Sequence, residues 1–104
     1  MLFRSVVRAL STLGCHDFSI VEVRRIKHGL PRGSYDFSVV LGEPFEPMLK
    51  FEVVCRDENA GRLVEAIRKA ATTGRPGDGK IFVATVDEAV AISSGSHGEG
   101  VLSV

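Results

Sequence analysis

Apolar residues recur at three- and four-residue steps at Leu2, Phe3, Val6, Val7, Leu10 and Leu13, predicting an amphipathic helix that Gly14 stops. Arg4, Arg8 and Ser11 fall on its other face. Residues 18–26 are rich in Val and Ile and read as a strand. Phe18 and Ile20 lie on one face, Val21 and Val23 on the other, a pattern that suits burial or an interface. Leu49, Phe51, Val53 and Cys55 alternate with Lys50, Glu52 and Val54, a strand with one buried face. Between these two strands the pattern fails. Gly29, Pro31, Gly33, Gly42, Pro44 and Pro47 punctuate residues 27–47, and only 37–41 has strand character. A stretch of that length without firm structure is either functional or disordered.

Asp57 is placed to cap a second helix by accepting a bond from a free amide in its first turn. Leu63, Ala66, Ile67, Ala70 and Ala71 form its apolar face, and Arg62, Glu65, Arg68 and Lys69 a solvated one. Residues 80–84 read as a last firm strand, 86–91 as a short helical turn and 92–93 as a stub of strand. The Ser/Gly-rich residues 94–100 are expected to be mobile, with 101–104 ordered only by docking. No internal repeat or second domain is visible. The expected organisation is one domain over residues 1–95, with a flexible loop at 27–47 and a tail at 96–104.

Composition narrows the class. A chain of 104 residues, 44% hydrophobic and 25% charged, is an ordinary globular domain. Thirteen basic and thirteen acidic residues cancel, so no net field draws the chain to nucleic acid or to anionic membrane. No apolar run approaches the roughly 20 residues of a membrane helix. Arg4 and Arg8 interrupt the apolar stretch that a signal peptide needs, so the expected location is cytoplasmic. Cys15 and Cys55 lack metal spacing, and Cys55 reads as a small buried hydrophobe. His16, His28 and His97 are scattered, without helical-spaced partners. No enzyme signature emerges: Cys15 and His16 would point apart on an extended segment, and no Ser or Thr follows Lys80 as in a magnesium-binding phosphate loop. Phe51 and Phe82 read as core rather than as a stacking platform for RNA bases.

The candidate chemistry lies at residues 72–83. Gly74 is placed to close the second helix, Pro76 cannot continue it, and Gly77-Asp78-Gly79 permits a tight turn. Successive amides in such a turn converge on an anion, and Lys80 adds a positive charge. Phosphate is the natural ligand. A helix-to-strand turn that binds nothing reads the same way locally.

A longer pattern is more specific. Glu65-Ala66-Ile67, Thr73-Gly74-Arg75-Pro76-Gly77-Asp78-Gly79-Lys80-Ile81-Phe82-Val83, Val86-Asp87-Glu88-Ala89-Val90-Ala91-Ile92 and Gly95 together resemble the C-terminal signature of the PII signalling family. Glu22-Val23-Arg24 and Lys50-Phe51-Glu52-Val53-Val54 fall on family positions with the same spacing. The resemblance implies an α/β (α+β) ferredoxin-like split βαβ sandwich, here apparently without the usual first strand. It also implies a homotrimer binding ADP, AMP or ATP between subunits, and a long loop controlling a membrane transporter or cytosolic enzyme. By matching position, Gly77, Asp78, Gly79 and Lys80 would hold phosphates and Thr73 and Gly74 would border the nucleotide. Ser19 and Val54 would lie near the adenine, and Glu52 would accept from nucleotide or neighbouring backbone. Ile26, Lys27 and His28 would form the base of the loop.

Departures from the family pattern shape the expected ligand set. Ala91 and Ser93 stand where arginines usually meet the outer phosphates, so triphosphate is expected to bind less well. Gly29 and Met48 replace residues that help to hold a metal-linked 2-oxoglutarate, and Leu41 replaces a modifiable tyrosine. The expectation is a divergent sensor without the usual 2-oxoglutarate response. Lys27, His28 and Arg32 offer positive character to a small anion such as bicarbonate. The alternatives are a trimeric scaffold that binds no nucleotide, and a CutA-like metal-binding protein.

Overall fold

The computed structural model describes residues 3–26 and 45–104. The elements run α1 (Phe3–Thr12), β1 (Ser19–Ile26), β2 (Phe45–Glu52), α2 (Asp57–Ala71) and a single 3₁₀ turn at Glu99–Val101. The expectations placed on Lys27, His28, Gly29, Arg32, Leu41 and the 37–41 strand lie outside the described residues. Two compact units emerge, one of residues 1–18 with 53–104 and one of residues 19–52.

In the first unit α1 packs against α2. Its apolar stripe buries Val6 and Leu10 completely, and Cys15, Leu63 and Val104 join them in the core. The helix ends as its sequence predicts. Gly14 takes φ +79°, its amide donates to Ser11 O at 3.0 Å, and the Cys15 amide donates to Leu10 O at 2.9 Å. This is the paired-bond ending that a left-handed glycine permits, sealed by burial of both Leu10 and Cys15.

Asp57 is not the cap of α2. It is the first helical residue, and Arg56 holds the cap position without a side-chain bond. Asp57 and Glu58 instead place negative charge on the first turn, where the helix dipole favours it. Arg62, Glu65, Arg68 and Lys69 do form a solvated face. There Glu65 pairs with Arg68 at 2.8 Å, which holds its carboxyl below the usual range. The last turn closes at Thr72, whose amide donates to Arg68 O.

The C-terminal segment departs from expectation. Among the described residues no strand forms at 80–84, because an extended run becomes a strand only when a neighbour satisfies its amides and carbonyls. Phe82, expected in the core, is 86% exposed, and Val83 is exposed beside it. Residues 86–93 form neither a helical turn nor a strand stub. Val90 bridges to His97, the Ala91 amide donates to Ser96 O and the Gly95 amide to Ala91 O. Val104 docks, and its carbonyl accepts the Arg56 amide.

In the second unit β1 and β2 pair antiparallel, with Ser19 opposite Glu52 and Ile26 opposite Phe45. β2 begins at Phe45, inside the stretch expected as loop. Pro47 fits there, opposite Arg24, because among the described residues β2 has only β1 beside it and proline is tolerated on such an edge. Arg25 and Glu46 pair across the two strands through the Arg25 Nε at 2.7 Å. Every residue of β1 is exposed in the isolated chain, its Val and Ile side chains on both faces included.

Candidate functional site

The glycine-rich loop opens directly after α2, and its shape is imposed by one side chain. Asp78 Oδ2 accepts the Thr73 amide at 2.8 Å and the Gly74 amide at 3.2 Å, and Oδ1 accepts the Thr73 hydroxyl. The Thr73 hydroxyl oxygen in turn accepts the Arg75 amide at 3.3 Å. These bonds, led by the Thr73 hydroxyl and amide, hold the Asp78 carboxyl below its ordinary value. Gly74, Gly77 and Gly79 take φ of +77°, +96° and +104°. Gly74 therefore serves the loop rather than the helix end, which Thr72 has already closed.

Beyond the carboxylate the loop is open. Among the described residues no acceptor takes the amides of Gly77, Asp78, Gly79 or Lys80, and nothing lies within 4 Å of a Cβ built on Gly77 or Gly79. Among the described residues neither Arg75 nor Lys80 has an ion-pair partner, and both are exposed. The chain thus presents a run of free donors and two cations on an exposed turn, an arrangement that suits an oxyanion.

The structure brings the Thr73, Gly74, Gly77, Asp78, Gly79 and Lys80 set together in this loop. Ser19 and Glu52 meet as opposite residues at the open end of the hairpin, where Glu52 pairs with Lys50 at 3.2 Å. Ile26 is exposed at the far end of β1, and Val54 is exposed just past β2. Lys27 and His28 lie outside the described residues. The Asp78 carboxylate is taken up by the loop's own donors, while its backbone amide has no acceptor among the described residues. One pair escaped sequence reasoning: His97 Nδ1 lies 2.8 Å from Glu88 Oε1 across the bridged turn, and a separation of nine positions gives no local signal. The two thiols are free, and burial pushes both Cys15 and Cys55 up. Cys55 is half-buried rather than sealed in the core.

Two packed helices and an antiparallel pair of strands are consistent with an α+β ferredoxin-like fold. The family model for nitrogen regulatory protein P-II matches residues 1–96, and the chain belongs to that family. A P-II protein of Methanothermobacter thermautotrophicus is 40% identical over 99 residues, spanning 90% of this chain and 82% of its own length. One from Rhizobium leguminosarum bv. viciae is 59% identical over 54 residues, which is 52% of this chain and 49% of the relative. This chain thus spans about half the length of several of the curated relatives it matches. Among solved structures, Arabidopsis thaliana PII bound to citrate aligns with a TM-score of 0.73 and 26% identity, covering 95% of this chain and 77% of that one. Among the described residues no helix is long and apolar enough to cross a membrane.

Proposed function

We propose that this P-II subunit binds an adenine nucleotide, ADP or AMP in preference to ATP, with its phosphates on the loop at residues 73–80. The observation that carries the reading is the set of amides at Gly77, Gly79 and Lys80 without an acceptor among the described residues, on a turn with open space at the Cβ positions of Gly77 and Gly79 and with Arg75 and Lys80 exposed. Hydrogen bonds to a charged acceptor contribute about 1.5–3 kcal/mol each, so three such donors suffice for a phosphate anchor. Ala91 and Ser93 offer no cation for an outer phosphate, which sets the preference for the shorter nucleotides.

Assembly into a homotrimer with clefts between subunits is the second part of the proposal. Exposed apolar residues on both faces of β1, with Phe82, Val83 and Ile92, support it, since a two-stranded hairpin alone is marginal in water. Occupancy of the cleft would reorganise residues 27–47 and change what that loop binds, on a transporter or an enzyme in the cytoplasm. Bicarbonate fits as a second small anion near Lys27, His28 and Arg32.

Titration calorimetry with ADP, AMP and ATP tests the nucleotide assignment. Heat with ADP or AMP, and no tighter binding of ATP, is the expected result. Absence of heat and of competition for all three refutes it. Sedimentation equilibrium at the trimer mass tests the assembly.

A further inference from the structure

We infer that Asp78 is a positioning residue, an internal anion that holds the ends of the loop so that the amides of Gly77, Gly79 and Lys80 are presented to phosphate. The inference rests on the nucleotide reading above and adds a role that the loop's glycines cannot fill by themselves. Three positive-φ glycines in six residues leave the turn many shapes, because glycine visits either sign of φ readily. A loop of that kind needs a tie if its donors are to be aligned before the ligand arrives. Asp78 supplies one. Its two oxygens take the donors at the entrance of the loop, on Thr73 and Gly74, while Asp78 itself sits at the far side of the turn.

The same contacts divide the loop's donors into two sets. The entrance amides are saturated by a carboxylate, so an incoming phosphate is directed to the amides that follow Pro76 and to Lys80. Thr73 is the other half of the device. Its hydroxyl donates to Asp78 and accepts from the Arg75 amide, linking the carboxylate to the residue before Pro76. A valine there keeps the shape and loses both bonds; a serine keeps both.

The opposite role is also testable. Were Asp78 a competitor occupying the anion's own seat, removing its charge would tighten binding. The experiment measures ADP affinity for the native chain and for Asp78→Asn, Thr73→Val and Thr73→Ser, with amide hydrogen exchange of residues 72–80 in the unliganded proteins. Asp78→Asn and Thr73→Val should weaken ADP binding at least about ten-fold and speed exchange at Thr73 and Gly74, with α2 protection unchanged. Thr73→Ser should stay within about two-fold of native. Equal or tighter ADP binding by Asp78→Asn overturns the inference, as does unchanged exchange at Thr73 and Gly74. If the native chain binds no nucleotide, the functional proposal fails, and the exchange data alone then judge whether the carboxylate shapes the loop.

Discussion

The backbone amide of Arg56, at the head of α2, donates to the carbonyl of Val104 at 2.8 Å, joining the last residue of the chain to the start of its longest helix. The Arg56 guanidinium adds a bond from Nη2 to Leu102 O at 2.8 Å, and the Val104 side chain is 6% exposed. The uncapped start of α2 is thus completed by a strand-like tail rather than by a local side chain.

That arrangement makes the tail part of the fold. Val104→Ala removes two buried methyl groups and should destabilise by about 1–2 kcal/mol. Arg56→Ala, which loses the bond to Leu102 O, should cost about 1 kcal/mol. Urea unfolding midpoints at unchanged slope are the measurement.

Leu10 is fully buried between the helices and also supplies the carbonyl for the Gly14–Cys15 ending. Leu10→Ala should cost about 3–5 kcal/mol, a large share of the stability of a domain this size. A change below about 1 kcal/mol would mean that the α1–α2 packing is loose.

Gly77 holds φ +96° with open space at its Cβ position. Gly77→Ala should therefore cost only about 1–2 kcal/mol of strain yet abolish detectable ADP binding, since a methyl group there faces the incoming phosphate. Calorimetry beside thermal unfolding separates the two effects.

The Asp78 carboxyl titrates below its ordinary value in the folded chain. A depressed folded pKa stabilises the fold above the unfolded pKa, near 3.9, and that stabilisation is lost as pH falls through the lower folded value. The Tm of the native chain should exceed that of Asp78→Asn by a constant gap from pH 8 to about 5. The gap should close as pH falls below about 3.9. A gap that widens on acidification would contradict the sign.

Ala91 is half-buried and Ser93 exposed on the bridged turn that follows Val90, so longer side chains have access to water there. The double substitution Ala91→Arg and Ser93→Arg should raise affinity for ATP relative to ADP by about ten-fold or more. Competition calorimetry reads the ratio directly, and an unchanged ratio would place these positions away from the outer phosphates.

Much of the fold was legible from local pattern. The stripe of Val6 and Leu10, the stop at Gly14 and the solvated face of Arg62, Glu65, Arg68 and Lys69 follow from helical period and glycine chemistry. These depend on neighbours three or four residues away. The alternation around Phe51 gave β2, yet its start at Phe45 was hidden because Pro44 and Pro47 read as loop. The candidate loop was legible as a donor-rich turn, while the task of Asp78 was not. A carboxylate beside glycines says nothing of which amides it will take.

Sequence alone determined the two helices, the two strands and the glycine-rich turn after α2, because periodicity and turn chemistry act over a few residues. Tertiary structure decided where the C-terminal residues go, which donors of the loop remain free and why residues 80–84 stay unpaired in the single chain. Those outcomes depend on which distant group arrives to satisfy a backbone amide or cover an apolar face, and no local spacing encodes that arrival.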